Sequence, residues 1–273
     1  MKGGGVIGPA PFLIAGILNV TPDSFYDGGK YDEHSRALDH ATAMLKQGAD
    51  IIDAGGESTR PFSEPVNAQT ELARVLPVIS DVLLRHPDAR VSVDTYKASV
   101  ASACLEAGAS IVNDVSACRF DPGLMDVIVQ YKPGYVLMHS SSRPQDMQKN
   151  PIYSDVVDQI KFFFQERLNA LTAAGMNMSR IVLDPGIGFG KTLEHNLEIL
   201  KRVNEFLSFG LPLYLGVSNK SLWGTLSGLK MEERGTSTQV AVALTALKGV
   251  GIHRVHDVPA TVNTLKILRK IWY

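Results

Sequence analysis

Three side chains of the sequence can together bind a flat, polar ring. Asp94, Asn113 and Asp184 offer carboxylate and amide acceptors, and the amide of Asn113 also donates. A heterocycle with neighbouring amino and lactam groups, such as a pterin or a guanine, needs that combination of partners. Lys220 adds a point charge that can donate to a ring carbonyl or nitrogen. These residue types predict a binding pocket for such a ring.

A second set of residues predicts an anion site. Thr59, Arg60, Arg254 and His256 combine a hydroxyl, two guanidinium groups and an imidazole, which suit a phosphate or a diphosphate. Asn19 and the carboxylates of the first set are oxygen donors that can help to bind Mg²⁺, an ion that also relies on substrate phosphates and water. The sequence contains no cluster of soft ligands, so we do not expect zinc.

These positions follow short apolar runs, which we interpret as buried parallel strands. The runs are residues 12–20, 50–53, 90–93, 110–112, 135–138, 181–183, 213–217 and 252–255. The helical patterns between and after them are residues 35–48, 66–85, 97–107, 122–131, 153–174, 193–207, 237–250 and 259–271. This alternation predicts an α/β fold, a (β/α)₈ TIM barrel. A doubly wound sheet is the alternative, but no glycine-rich dinucleotide loop follows the first strand.

In a barrel of this kind the active site lies at the C-terminal ends of the strands. The polar residues at these ends are Asn19, Asp53, Asp94, Asn113, His139, Asp184, Lys220, Arg254 and His256. A single aspartate after a strand is often the N-cap of the next helix. Capping does not explain Asn, His, Lys and Arg at the same edge, so the set predicts a polar pocket to which every strand contributes.

Composition and charge disfavour several other classes of protein. Lys and Arg number 27 against 28 Asp and Glu, and without a basic stripe we expect no binding to nucleic acid. No apolar stretch reaches the ~18 residues of a membrane span, and residues 1–11 lack the apolar core of a signal peptide. The 2 cysteines cannot form a disulfide framework, which favours a reduced, cytoplasmic protein. We expect one domain over residues 1–273, with residues 1–11 as a flexible N-terminal lead.

Short motifs lie at the predicted strand ends. They are GILNVTPDSFYDGG (16–29), DIIDAGGESTRP (50–61), SVDTYK (92–97), NDVSA (113–117), LMHS (137–140), LDPGIGFGK (183–191), SNKS (218–221) and RVHDV (254–258). In this order, and over residues 12–270, the chain resembles the dihydropteroate synthases of folate biosynthesis, the enzymes that sulfonamides target. The resemblance implies the same (β/α)₈ barrel.

The resemblance also implies a reaction. In it, the amine of p-aminobenzoate displaces diphosphate from 6-hydroxymethyl-7,8-dihydropterin diphosphate, an alkyl transfer that yields 7,8-dihydropteroate. Mg²⁺ is the implied cofactor, because it neutralises the leaving diphosphate. The implied partners are these two small molecules and a second copy of the chain in a homodimer, with no nucleic acid and no membrane.

Site residues follow from the resemblance, position by position. The pterin contacts implied are Asp53, Asp94, Asn113, Met138, Asp184, Lys220 and Arg254. The diphosphate contacts implied are Asn19 (through the metal), Thr59, Arg60, Arg254 and His256. The p-aminobenzoate contacts implied are Thr59, Pro61, Phe189, Lys220 and Ser221. Catalytic roles are implied for Arg60, Lys220, Arg254 and His256.

Two positions depart from the motifs of the family. Phe62 stands where Gly usually follows Ser-Thr-Arg-Pro, and Asn219 stands where Arg is usual. Both lie near the implied p-aminobenzoate site and bear on affinity for that substrate and for sulfonamides. Two other functions fit the ring-binding residues: a methyltetrahydrofolate–corrinoid methyltransferase, and a catalytically silent pterin-binding homologue. Neither of them needs the diphosphate cluster, which the sequence retains.

Overall fold

The computed structural model describes residues 12–21, 30–58, 63–147 and 151–272, in which parallel strands form one closed barrel. The strands are β1 (Leu13–Asn19), β2 (Ile51–Gly55), β3 (Arg90–Asp94), β4 (Ile111–Asp114), β5 (Gly134–Met138), β6 (Ile181–Asp184), β7 (Leu213–Gly216) and β8 (Val250–Val255). Each strand pairs with the next, and β1 pairs with β8 from Leu13 opposite Ile252. The sheet therefore has no unpaired edge.

Helices connect the strands and surround the barrel. They are α1 (Lys30–Lys46), α2 (Ala68–Arg85), α3 (Ala98–Glu106), α4 (Gly123–Tyr131), α5 (Val156–Ala173), α6 (Leu193–Lys201), α7 (Ser221–Ser227), α8 (Gly235–Leu247) and α9 (Val258–Trp272). The predicted (β/α)₈ barrel is confirmed, and it forms one domain. No helix within the described residues is long and apolar enough to cross a membrane.

The bounds of three predicted helices are wrong in part. The helix predicted over residues 35–48 instead occupies Lys30–Lys46. The helix predicted over residues 193–207 ends at Lys201, and a 3₁₀ segment, Val203–Phe209, follows it. Arg202 interrupts the helix with φ −109°, and its guanidinium group is held by Asp155 and Glu205 at 2.8 and 2.7 Å. The helix predicted over residues 237–250 instead occupies Gly235–Leu247, because Val250 already belongs to β8.

Helix α7 was not predicted from the sequence. It has only 7 residues, and it contains Gly224, which weakens a helical pattern. Gly228 ends it in the left-handed conformation at φ +70°, where a residue without a side chain is favoured. A helix this short has no apolar period by which the sequence can reveal it.

The two-residue period of the strands separates an apolar floor of the barrel from a polar upper layer. The floor consists of Ala15, Ile51, Ile111, Val136, Tyr214 and Ile252. On β2, β4 and β8 the residue two positions after the floor residue is Asp53, Asn113 or Arg254. Because alternate residues of a strand share a face, these polar side chains lie inside the barrel at its C-terminal end. The fold thus places these three predicted polar residues directly above the apolar floor.

His253, on the opposite face of β8 from Arg254, gives the fold a dependence on pH. The residue is 0% exposed, and burial lowers its pKa from 6.5 to about 4. Between these values the unfolded chain binds a proton that the folded chain does not, so stability falls as pH falls from 6.5 towards 4. At pH 5 we expect this residue alone to cost about 2 kcal/mol of the free energy of unfolding.

A His253→Leu variant tests this expectation through urea unfolding at pH 7.5 and pH 5. We expect the variant to lose less stability than the wild type over that interval, by the same about 2 kcal/mol. Equal losses in the two proteins would show that His253 does not control the acid sensitivity of the fold.

Candidate active site

Arg254 organises the polar layer from its place on β8. Its Nε donates to Oδ2 of Asp53 at 2.6 Å, and its Nη2 donates to Oδ2 of Asp94 at 2.5 Å. The Nδ2 of Asn113 donates to the same oxygen of Asp53 at 3.0 Å. Strands β2, β3, β4 and β8 are therefore joined by one charge-assisted network, whose orientation is set by the planar guanidinium group.

Burial shifts the pKa values of the ionisable groups in this layer. Burial raises the pKa of Asp94 to about 7, although Arg254 acts in the opposite direction. Burial also raises the pKa of Asp184 to about 6 and lowers that of Lys220 to about 8. Burial alone would lower the pKa of Arg254, but the carboxylates of Asp53 and Asp94 raise it overall. Groups that titrate near neutral pH at one barrel mouth are typical of a functional site.

A pocket opens above this network. Its lining residues are Asp94, Asn113, Val115, Met138, Asp184, Gly186, Ile187, Phe189, Gly216, Lys220 and Arg254. Six of the seven residues implied as pterin contacts therefore meet at one cavity. The seventh, Asp53, is 0% exposed and does not line the pocket. It lies behind the wall, where it holds Arg254 and Asn113 in place.

The pocket contains an acceptor that the described residues leave unpaired. Oδ1 of Asp94 is buried and has no hydrogen-bond partner within the part of the chain that the structure describes. A buried carboxylate oxygen without a donor is costly, by about 1–3 kcal/mol. The arrangement therefore favours a ligand that brings N–H donors to Asp94.

Phe189 belongs to the wall of this pocket, and its implied contact with p-aminobenzoate stays a prediction. Its ring is 8% exposed, and the Nζ of Lys220 lies over it, 4.5 Å from the ring centre. On the same side, Oδ1 of Asp184 accepts from the backbone N–H of Gly186 at 2.7 Å. The Asp-Pro-Gly-Ile-Gly-Phe-Gly-Lys motif thus supplies both a carboxylate and an aromatic surface.

His256 lies at the exposed rim beyond β8. Oγ of Ser218 accepts from the backbone N–H of His256 at 3.2 Å and lies 2.9 Å from its Nδ1. The contact with Ser218 therefore fixes the orientation of the imidazole ring at the rim.

Five of the implied site residues, and Phe62, have a different standing in the structure. Asn19 ends β1, is half-buried, and its register partner is Gly55. Ser221 is exposed and is the first residue of α7. Thr59, Arg60 and Pro61 lie outside the described residues, as does Phe62. The implied roles of these residues stay predictions.

The structure gives a physical reason for Asn219. Its backbone has φ +55°, the left-handed region, which asparagine adopts more readily than arginine. Its carbonyl oxygen accepts from Nη1 of Arg234 at 3.1 Å, and its N–H donates to Oγ1 of Thr238 at the same distance. The departure is therefore compatible with the turn that presents Lys220.

Sequence reasoning missed several residues that build the site. Val115, Ile187 and Gly216 line the pocket, and Ser218 orients His256. Apolar residues next to a motif have the same pattern as core residues, so only the closed barrel separates the two. Ser218 does carry a signal, because it belongs to the Ser-Asn-Lys-Ser motif.

Comparisons with known proteins agree with this geometry. The family of pterin binding enzymes matches residues 15–256. The dihydropteroate synthase of Escherichia coli K12 is 40% identical over 255 residues, which cover 93% of this chain and 90% of the relative. The structure of Yersinia pestis dihydropteroate synthase with a sulfonamide drug has a TM-score of 0.90 at 40% identity and covers 95% of this chain and 94% of that one. The Xanthomonas albilineans synthase with 4-aminobenzoic acid has a TM-score of 0.90 at 38% identity, with coverages of 95% and 93%.

A barrel whose upper layer presents carboxylates, an amide and two cations to one pocket defines a pterin-binding enzyme, which is the class that the family match gives. Similarity over nearly the whole chain narrows the class. Within it, the chain belongs to the dihydropteroate synthase family.

Proposed function

We propose that the described pocket holds the ring of 6-hydroxymethyl-7,8-dihydropterin diphosphate and that its mouth holds the diphosphate. The observation that carries this proposal is the meeting of Asp94, Asn113 and Asp184 with two cations at one buried pocket. The amino and ring N–H groups of the pterin are donors that fit the carboxylates, including the unpaired Oδ1 of Asp94. Val115 and Met138 supply apolar surface for the faces of the ring.

The proposed reaction is the synthase reaction of the family, with departure of the leaving group ahead of attack. The bond between the methylene carbon and the diphosphate oxygen breaks, and its electron pair leaves with the diphosphate. The electron-rich dihydropterin stabilises the cation left at the methylene carbon. The nitrogen of p-aminobenzoate then bonds to that carbon and loses one proton. Catalysis rests on positioning and on stabilisation of the leaving charge, so no strong general base is required.

The residues at the mouth have distinct proposed tasks. The imidazole of His256, oriented by Ser218, binds the diphosphate. Arg254 extends from the ring network towards the same mouth, and Arg60 and Thr59 are proposed to complete the anion site. Lys220 and Phe189 separate the ring from the p-aminobenzoate, which we place beside Pro61 and Ser221.

Mg²⁺ is the proposed cofactor, and the donors present fit it as an ion held mainly by substrate. No group of three His, Cys, Asp or Glu side chains able to hold a metal occurs within the described ranges. Asn19, an oxygen donor at the end of β1, is the residue proposed to bind it. Mg²⁺ prefers few protein ligands together with phosphate oxygens and water. When bound, the ion neutralises charge on the diphosphate.

We predict that an Arg60→Ala variant loses turnover to a greater extent than pterin binding. The guanidinium group is proposed to act on charge that develops at the diphosphate, so kcat is expected to fall by about a hundredfold or more. The ligand 6-hydroxymethylpterin lacks the diphosphate, so its affinity is expected to stay within about threefold of the wild-type value. Loss of one strong contact would instead raise the Kd by about tenfold. Steady-state kinetics and fluorescence titration measure the two quantities, and unchanged turnover would contradict the assigned role.

The reaction itself is tested with purified protein, Mg²⁺ and both substrates. We expect diphosphate and 7,8-dihydropteroate to appear in equal amounts, and only when both substrates are present. Pterin binding without product would favour a silent homologue. A protein that binds pterin, releases no diphosphate and transfers a methyl group from methyltetrahydrofolate would favour the corrinoid-linked methyltransferase.

We also propose a homodimer in the cytoplasm. Exposed apolar residues are spaced at four and three residues along α8, at Val240, Leu244 and Leu247, and Leu226 of α7 is exposed as well. That spacing places them on one face of α8, which a second copy of the chain would cover. Cys104 and Cys118 are both free and buried, which fits a reducing compartment.

A further inference from the structure

Lys191, after the turn that follows β6, is a buried lysine outside the pocket lining. Its Nζ donates to the carbonyl oxygens of Gly186 and Phe189, each at 2.9 Å. It also donates to Nδ1 of His139 at 3.0 Å. The residue is 3% exposed. The carbonyl oxygen of His139 lies 3.4 Å away, so the Nζ group faces four acceptor atoms on three residues, Gly186, Phe189 and His139.

Two of these acceptors belong to the turn that forms one wall of the ring pocket. Gly186 and Phe189 both line that pocket. Gly186 has φ +70°, and a Cβ at this position would collide with the carbonyl oxygen of His139. The turn therefore lies tightly against the end of β5, and Lys191 holds it through the carbonyl oxygens of Gly186 and Phe189.

The third acceptor, His139, connects the same ammonium group to β5. Burial lowers the pKa of His139 well below its ordinary value, and the cations of Lys191 and Arg119 act in the same direction. The imidazole is therefore neutral and accepts at Nδ1. His139 follows Met138, which lines the ring pocket, so one ammonium group links two walls of the site.

Lys191 also acts on Asp184 through its charge. Burial raises the pKa of Asp184 to about 6, and the cation of Lys191 opposes that rise. Burial lowers the pKa of Lys191 to about 7, and Asp184 opposes that change in turn. The other cations that face Asp184 are Lys220 and Arg254. At the pH where Asp184 takes up its proton, Lys191 is thus still mainly charged.

We propose that Lys191 is a positioning residue for the pterin ring, which fixes the 186–189 wall through its hydrogen bonds and favours the ionised form of Asp184 through its charge. The inference rests on the proposed function, because the ring is the ligand that the wall and Asp184 receive. Lys191 itself lies behind the wall and does not line the pocket.

The test compares Lys191→Met and Lys191→Gln variants with the wild type in binding 6-hydroxymethylpterin. Fluorescence titration gives the Kd between pH 4.5 and 8, and calorimetry gives the folded fraction of each protein. For Lys191→Met we expect the Kd per folded molecule to rise by about tenfold or more, the equivalent of one strong polar interaction. Lys191→Gln retains hydrogen-bond donors without the charge, so its Kd at pH 8 is expected to rise less.

The pH profile separates a positioning role from a purely structural one. Removal of the cation raises the pKa of Asp184, so both variants are expected to lose affinity on acidification at a higher pH than the wild type. The matched control is Lys201→Met, which makes the same substitution on the surface of α6, where the side chain of Lys201 is 72% exposed. Its Kd and its pH midpoint are expected to equal those of the wild type.

Each outcome decides between the two roles. Wild-type affinity and wild-type pH midpoint in the folded fraction of Lys191→Met would restrict Lys191 to stability and overturn the proposal. If that variant does not fold, the midpoint of Lys191→Gln decides in its place. A wild-type protein that binds no pterin at any pH would overturn the proposed function itself, and this role with it.

Discussion

Replacement of Arg254 by methionine is expected to abolish turnover and to destabilise the fold by about 3–5 kcal/mol. The guanidinium group is the partner of two buried carboxylates, at 2.6 Å from Asp53 and 2.5 Å from Asp94. Methionine leaves both carboxylates without their counter-ion in the barrel interior, and an uncompensated buried charge is far more costly than an exposed one. The ring pocket then loses its orientation together with its cation.

The measurement combines urea unfolding with kcat/KM for both substrates. Arg254→Lys is the conservative variant, and we expect it to recover most of the stability but little of the activity. An ammonium group restores charge but does not donate to two carboxylates in one plane. Arg269→Met is the matched control, since Arg269 is exposed on α9 and its replacement is expected to change neither quantity. A stable and active Arg254→Met protein would contradict the organising role of the network.

An Asp184→Asn variant is expected to lose about a hundredfold in affinity for the pterin while it keeps its fold. Asparagine has the shape of aspartate, and its Oδ1 can still accept from the N–H of Gly186, which lies 2.7 Å away in the wild type. The variant lacks the charged acceptor, and a hydrogen bond to a charged group contributes about 1.5–3 kcal/mol. Fluorescence titration with 6-hydroxymethylpterin measures the loss.

The pH dependence of the same titration gives a second readout for Asp184. Burial raises its pKa to about 6, so the carboxylate takes up a proton as pH falls through that value. Wild-type affinity is therefore expected to fall in two stages, as Asp94 takes up a proton near pH 7 and Asp184 near pH 6, and the second stage is expected to be absent from Asp184→Asn. The control Asp88→Asn alters an exposed aspartate and is expected to leave both the affinity and the pH profile as in the wild type. A variant with wild-type affinity would show that Asp184 makes no contact with the ring.

Much of the barrel was predictable because its signals are local. Most strands are short apolar runs with β-branched residues, and a period of two or of 3.6 can be recognised without knowledge of the neighbouring elements. The errors occur where tertiary contacts override the local pattern. Arg202 breaks the run after α6 because Asp155, 47 residues away, holds its side chain. Asp94, Asp114 and Asp184 were predicted to follow strands, but they end β3, β4 and β6, since ladder hydrogen bonds from neighbouring strands extend them.

The residue types of the ring site were predictable from the sequence. Which of these residues line the pocket, and which hold others in place, was not. Asp53 and Arg254 are 201 residues apart in the chain and share one hydrogen bond. No local pattern distinguishes Asp53, which lies behind the wall, from Asp94, which lines the pocket. Only the structure shows that Phe189, an implied p-aminobenzoate contact, also lies beneath Lys220 in the wall of the ring pocket.

The sequence by itself determined the barrel, the family and the set of polar residues at the strand ends, because strand periodicity and motif order are properties of short segments. Only the tertiary structure decided which of these residues face the ligand, which hold others in place, and which pKa values are shifted. Those properties depend on burial and on partners contributed by distant strands, and both come into being when β8 closes the sheet against β1.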